Sequence, residues 1–364
     1  MPPHGRREIT VGDEFASPAN IGYIIFESDS DVVEGYTKFY IEGQHRVAIP
    51  AVKELNTGDI YISHIASIAS DGVLQPWYTG VSLLNTTSLP KTLSIEFDNG
   101  QTKTVSLAAK EHRAFLIRQL FGGQPQPGIL SAVIKDGSGV IGLELFAWGS
   151  NQLTGNLLKD DTASKMYYPH IPSTDGWFTG VVAYNPLGTV CDITITPYTV
   201  SGAPLTPVID TITGKGKYIG VVSALGLPAN AAWFQIDATN PITGFELFVY
   251  GSNQMAGYTS VGIKGKEGVF AKIDKSGYTG IAFVNTGNTT ASILLTAYDD
   301  NGNTIATKTI GLAGHEKVVN MAPSLFSQGI SDATYIAYSS DLDVVGFQLN
   351  VSTDAMMLDA LPGM

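Results

Sequence analysis

Cysteine is almost missing from this chain. Cys191 is the single thiol among 364 residues, so no internal disulfide and no multi-cysteine zinc site can form. It stands in an alternating run and reads as a small buried hydrophobe. Charge is also scarce, at 15% of residues, and positive charge scarcer still: 21 Lys and Arg stand against 33 Asp and Glu, a formal net charge of −12. Binding to nucleic acid draws on clustered cations that release counterions, so nucleic acid is not an expected partner. No run reaches the length of a membrane-spanning helix, so direct membrane insertion is not expected either.

Catalytic signatures are wanting too. The sequence has no Gly-x-Ser-x-Gly elbow and no phosphate loop, and these motifs mark nucleophilic and phosphoryl chemistry. Asp299, Asp300 and Asn303 lie in one turn but lack the spacing and the distal Glu of a calcium loop. We therefore expect no enzyme activity, no catalytic residue, no cofactor and no metal. Met1-Pro-Pro-His-Gly-Arg-Arg7 lacks the apolar stretch of a signal peptide.

What the chain has in quantity is itself. Thr79-Gly80, Thr179-Gly180 and Thr279-Gly280 each follow an aromatic residue and precede Asn85, Asn185 or Asn285. A second block, Gly142-Leu-Glu-Leu-Phe146, returns as Gly244-Phe-Glu-Leu-Phe248 and Gly346-Phe-Gln-Leu-Asn350, at a stride of 102 residues. Gly149-Ser-Asn-Gln152 and Gly251-Ser-Asn-Gln254 trail the first two copies, and Gly35-Tyr-Thr-Lys-Phe39 is a degenerate earlier one. A basic residue eight positions before an apolar one adds Arg7, Arg113, Lys217 and Lys317 to the alignment. Periods of this length signal tandem domains. The expected division is 1–55, the C-terminal half of a repeat, followed by full copies at 56–160, 161–264 and 265–364. The chain thus begins in mid-repeat, and an export signal is expected upstream.

Forty glycines, eighteen prolines and abundant β-branched and aromatic residues predict short strands joined by turns. Asp98-Asn-Gly100 and Asp299-Asp-Asn-Gly-Asn303 separate alternating runs and read as hairpin turns. Each copy reads as seven strands, ending at the run Val140–Trp148, and Pro197 reads as marking an edge strand. The expected fold is all-β, a tandem of antiparallel two-sheet sandwiches of about 100 residues each.

Four groups of residues stand out. His64 and His170 align, with Lys272 in the third copy; lacking partners at ligand spacing, they read as locally packed side chains. The turns around Arg7, Arg113, Lys217 and Lys317 read as solvated, with an acidic polysaccharide as the ligand they could otherwise take. Trp77, Tyr78, Trp177, Phe178 and Tyr278 read as core at the entry to a strand, or as ligand-binding rings that stack on sugars. The last group lies four and six residues after each repeat glycine: Phe39 and Ile41, Phe146 and Trp148, Phe248 and Tyr250, then Asn350 and Ser352. The first three pairs are expected to pack one copy on the next, and the polar fourth to finish the array as a C-terminal cap. The opposite face, Leu143 and Leu145 with their counterparts, is expected to fill each copy's own core.

Trp177-Phe-Thr-Gly-Val-Val-Ala-Tyr-Asn185, Ile293-Leu-Leu-Thr-Ala-Tyr298 with its Asp-Asp-Asn-Gly-Asn turn, and Ile242-Thr-Gly-Phe-Glu-Leu-Phe248 resemble the tandem Ig-like β-sandwich repeats of uncharacterised secreted bacterial surface proteins. The resemblance covers essentially the whole chain. It implies export, a cell-surface or matrix location and a non-enzymatic structural or adhesive role, with self-association or neighbouring surface proteins as partners. It supplies no catalytic residues. A carbohydrate-binding protein and the accessory region of a larger secreted hydrolase are the alternatives.

Overall fold

Runs of Thr, Val, Ile and aromatic residues broken by Gly, Asn and Pro give strands joined by turns, and the fold is all-β with several antiparallel sheets. The computed structural model describes residues 1–30, 32–66, 77–124, 126, 128–149, 152–172, 175–251, 254–259 and 261–363. Segment 265–364 shows the pairing most plainly. Its long strand Tyr335–Val351 pairs on both sides along each of its halves. The first half pairs with Gly265–Phe270 on one side and Ala291–Tyr298 on the other; the second half pairs with Tyr278–Asn285 and Leu358–Pro362. Thr304–Leu312 and Lys317–Met321 complete the two edges. Side chains from strands paired with either half share one apolar core, including Phe283, Ile293, Leu295 and Ile336.

Residues 163–258 repeat this order strand for strand around Trp233–Tyr250. Residues 60–158 do so with the shared strand broken into Ala132–Lys135 and Val140–Trp148. The break lies at Asp136-Gly-Ser-Gly139, where Asp136 (φ 57°) and Gly139 (φ 69°) are left-handed. Asp237-Ala-Thr-Asn-Pro241 carries no such kink, and the strand runs through.

Three differences from the sequence reading have local causes. A further strand closes each unit, Gln152–Leu158, Gln254–Tyr258 or Leu358–Pro362, returning antiparallel along the Gly-x-Glu-Leu block. Its reversal starts at left-handed Gly149 (φ 59°) and Gly251 (φ 57°) in the two Gly-Ser-Asn-Gln stretches, whose Ser and Asn lie outside the described residues. Strand Cys191–Tyr198 is internal rather than an edge, lying between Val208–Ile212 and Trp233–Ala238. Pro197 is tolerated because its carbonyl accepts from Leu205 N at 2.8 Å on the side where Val208–Ile212 has already ended. The N and O of an extended residue share a side, so its missing N–H costs no ladder bond. Finally, among the described residues of 1–35 the helical elements are the short turns Val11–Glu14 and Pro18–Asn20, and none lies in a strand; the hairpin Tyr36–Ile41 and His45–Pro50 follows.

Asn85, Asn185 and Asn285 are fully buried at the ends of their strands. Asn285 Nδ2 donates to the carbonyls of Thr289 (2.7 Å), Leu312 (3.0 Å) and Ala313 (3.0 Å), while its Oδ1 accepts from Gly287 N at 2.9 Å. Asn185 makes the same set and Asn85 nearly so. A short side chain with both donor and acceptor staples the loop after the strand to the turn before the cationic strand. Replacing Asn285 by Ala leaves several buried backbone groups unpaired, and is expected to cost about 2–4 kcal/mol in chemical denaturation. A loss within measurement error would show that the staple contributes nothing.

Candidate functional site: the joints between segments

The four closing strands, His45–Pro50, Gln152–Leu158, Gln254–Tyr258 and Leu358–Pro362, meet around a common axis. Each packs on the next, and the last packs on the first. Small residues permit the approach: a Cβ on Gly155 would lie 3.1 Å from Ile49 Cδ1, and one on Gly257 would lie 2.7 Å from Asn156 Oδ1. The segments therefore form a closed ring whose N-terminal hairpin sits against segment 265–364.

Each joint is built by one rule. The outer face of a hairpin covers the open end of the preceding segment's core. At the first joint Phe245 of segment 161–264 meets Phe146 at 5.4 Å between ring centroids, and His64 lies against both rings at 5.7 Å and 6.0 Å. At the second, Phe347 stacks on Phe248 at 5.5 Å, with His170 against both. The inner-facing Phe146 and Phe248 are almost wholly buried. The face carrying Phe245, Leu247, Phe347 and Leu349, expected to fill each copy's own core, is instead turned toward the neighbouring segment. Trp148 and Tyr250 lie within their own segments, against Trp77 (4.9 Å) and Trp177 (5.0 Å). Phe39 is half-buried and Ile41 exposed.

The polar fourth pair does not face solvent. Asn350 and Ser352 are buried, as are Gln348 and Asp359. Asn350 Oδ1 accepts from Thr279 Oγ1 at 2.8 Å and its Nδ2 donates to Asp359 Oδ1 at 2.8 Å. Asp359 forms ion pairs with Arg46 and with Lys38 (3.2 Å), and Arg46 also reaches Asp274 at 3.1 Å. This face is closed by the N-terminal hairpin: Tyr36 and Lys38 stand where Phe347 and Leu349 stand in the adjacent segment.

A recurrent cation crosses each joint. Lys217 Nζ donates to Leu130 O and His64 Nδ1 (2.8 Å), and Lys317 Nζ donates to Ala232 O at 2.6 Å. Lys317 N also donates to Val200 O at 3.0 Å, His315 stacks on Tyr198 at 4.6 Å, and Trp233 Nε1 donates to His315 O at 2.9 Å. The N-terminus reproduces these contacts on segment 265–364. Arg6 N donates to Asp300 O at 2.9 Å, His4 stacks on Tyr298 at 5.0 Å, and Tyr335 Oη donates to His4 O at 2.5 Å. The equivalent positions are thus Arg6, His112, Lys217 and Lys317, one residue before Arg7 and Arg113 in the first two instances. The signal for that register is the left-handed residue two places earlier, His4, Lys110, Lys215 or His315, and a non-glycine φ of that kind cannot be read from residue spacing.

Burial sets the electrostatics. Glu144 and Glu246, inside the first and second joints, have their pKa values raised, Glu144 to about 8, because burial outweighs the attraction of Lys217 and Lys317. Burial lowers Lys217 to about 8 and Lys317 to about 7, and holds His64 and His170 well below their ordinary value. Lys272, in the histidine position of the third segment, instead pairs with Glu8 at 2.6 Å.

The repeated aromatics do not converge. Trp77 and Trp177 are half-buried against their partners, and Tyr78 lies under Arg118 at 4.8 Å. Phe178 and Tyr278 are exposed, at 44% and 55%. Cys191 is buried. Among the described residues no helix is long and apolar enough to cross a membrane, and no group of three His, Cys, Asp or Glu side chains is placed to hold a metal ion.

Two outcomes are expected. A carboxyl group whose folded pKa is raised stabilises fully below its ordinary pKa near 4.5, and that stability is lost as pH rises through about 8. The melting-temperature advantage of the native chain over Glu144→Gln should therefore shrink across that window in calorimetry; a constant difference would contradict a buried, titrating Glu144. Asp359→Asn leaves the buried Arg46 underpaired and should cost about 3–5 kcal/mol in urea denaturation, with part of the loss recovered in the Arg46→Met, Asp359→Leu pair. Equal losses in the single and double variants would refute an ionic closure.

No family model matches the chain, and no curated protein matches it. Among solved structures, the chain is similar to that of a 1.5-MDa bacterial ice-binding adhesin described for host cell surface retention, at 12% identity over 78% of this chain and 85% of that one. The TM-score is 0.14, and a likeness at that level carries no argument about fold or function.

Proposed function

We propose that this chain is a non-enzymatic structural and interaction protein of the cell surface, built from three Ig-like β-sandwich copies and half of a fourth. The joints carry this reading. Glu144, Lys217, Glu246 and Lys317, whose protonation departs far from the ordinary, are enclosed where segments meet. Lys217 and Lys317 hydrogen-bond across their joints to Leu130 O and Ala232 O, which supports a role in fixing one segment on the next. Export and a surface location rest on the sequence resemblance alone. The partners that suit this role are further copies of the chain or neighbouring surface proteins.

A second reading, carbohydrate binding through the repeated aromatics, has support only from exposed Phe178 and Tyr278, since Trp77 and Trp177 are engaged by Trp148 and Tyr250.

Single-molecule pulling from the two ends tests the first reading. Three modules that resist force should unfold in separate events, each releasing roughly 35 nm of chain for about 100 residues. One featureless extension at low force would sink it.

A further inference from the structure

In each full segment the aromatic-Thr-Gly strand, Trp77–Asn85, Trp177–Tyr184 or Tyr278–Asn285, lies between the cationic strand and the strand of the Gly-x-Glu-Leu block, antiparallel to both. A short helical turn opens five residues after the cationic position: Ile117 after His112, Val222 after Lys217, Ala322 after Lys317. Val11 stands five residues after Arg6 and opens such a turn too. The hairpin of Tyr36–Ile41 and His45–Pro50 matches the hairpin that closes each segment. The N-terminal segment thus holds both flanks of an aromatic-Thr-Gly strand, while none of its described residues forms that strand.

The two flanks lack a backbone partner. Among the described residues Tyr36–Ile41 pairs with His45–Pro50 alone, and residues 7–9 make no bond to another stretch of backbone. Ala51 N donates to Gly35 O at 2.8 Å, as Gly363 N donates to Gly346 O in segment 265–364, and this sets the alternation of the hairpin. Tyr36, Lys38 and Tyr40 then aim their N–H and C=O groups at the open edge, where Phe347, Leu349 and Val351 meet Tyr278–Asn285. Arg6 Nη2 donates to Tyr36 Oη at 3.5 Å, so the flanks lie beside each other. Side chains carry the same signature. Ile41 stands at the position of Trp148 and Tyr250, whose rings meet Trp77 at 4.9 Å and Trp177 at 5.0 Å. Here Ile41 is 51% exposed and its neighbour Tyr40 57%. An unpaired edge that ends in uncovered apolar side chains is a template for an added strand. The three strands of this chain that fit it are already paired on both sides, so the donor is another polypeptide.

We propose that the gap between residues 6–10 and Tyr36–Ile41 binds an extended strand of a partner protein, reading aromatic-aromatic-Thr-Gly followed by β-branched residues. The full segments supply its register: Thr opposite Phe39, Gly opposite Lys38 and the first aromatic against Ile41. This names a partner for the interaction role already proposed and rests on that role only for its biological use; strand binding and resistance to force fail independently.

The probe is a synthetic peptide with the sequence of residues 177–187, Trp-Phe-Thr-Gly-Val-Val-Ala-Tyr-Asn-Pro-Leu, added to the full chain. Isothermal titration calorimetry should show binding at about 100 μM or tighter. Hydrogen exchange at the Lys38 and Tyr40 amides should slow by about tenfold or more. Tyr40→Pro removes an edge-facing N–H and keeps the hairpin's own ladder, so it should weaken binding by about tenfold or more, and Tyr40→Thr, which keeps the N–H, should weaken it less. A peptide carrying Val182→Pro tests the same ladder with the protein unaltered, whatever Tyr40→Pro does to folding, and should not bind. Absence of binding by the parent peptide overturns the proposal. Equal binding of the Val182→Pro peptide or of a scrambled peptide overturns it as well, by removing the strand pairing. Binding that leaves the Lys38 and Tyr40 amides unprotected, or that is unchanged in a folded Tyr40→Pro chain, overturns it by placing the strand elsewhere.

Discussion

Every full segment leaves one end of its core uncovered, and the organisation of this protein follows from the need to cover it. The inward face of each Gly-x-Glu-Leu strand puts large side chains at that end, and no strand of the same segment lies over them. The outer face of the next hairpin does. Aromatic pairs such as Phe146 with Phe245 and Phe248 with Phe347 remove that surface from water, worth about 25 cal/mol for each Å² of apolar area. Position and chemistry are then linked: whatever side chain stands at the open end dictates what its cover must be.

Three of the four joints show how the rule is met with different chemistry. Two are aromatic and enclose a glutamate, a lysine and a histidine each. The third is ionic: Asn350 and Asp359 are met by Lys38 and Arg46. An apolar hairpin placed on that third face would bury Asp359 without a cation, which is far more costly than losing a hydrogen bond. Reciprocally, Lys38 against Phe146 or Phe248 would bury an unpaired ammonium. Mismatch is penalised in both directions, so the order of segments around the ring is specified by repulsion as well as attraction.

Much of this was legible in the sequence, and the parts that were not share a physical character. The Thr-Gly and Gly-x-Glu-Leu strides gave the strand pattern because backbone pairing repeats wherever alternation repeats. Asn85, Asn185 and Asn285 recur with the Thr-Gly stride because a short amide that both donates and accepts suits the end of each of these strands. The closing strand escaped notice because Gln-Leu-Thr-Gly-Asn-Leu-Leu158 alternates poorly, its glycine being demanded by a neighbouring strand and not by its own. Asn350 and Ser352 looked like a solvent-facing end since polarity alone cannot distinguish water from a buried ion pair. The partner, Arg46, lies 313 residues earlier than Asp359 in the chain, and no local pattern connects them.

Closure also imposes an order in time. The contacts of Arg6 and His4 with segment 265–364 span sequence separations of 265 to 331 residues. Pairings so distant form late, after the entropy of an enormous loop has been overcome. During synthesis the N-terminal hairpin emerges first, while the surface that receives it is made last. Ile25 and Phe26, before the hairpin, and Tyr40, within it, remain exposed even in the finished ring. Until segment 265–364 is made, the hairpin and the residues before it therefore lack their cover, and a chaperone or a second nascent chain can meet them before their own partner exists.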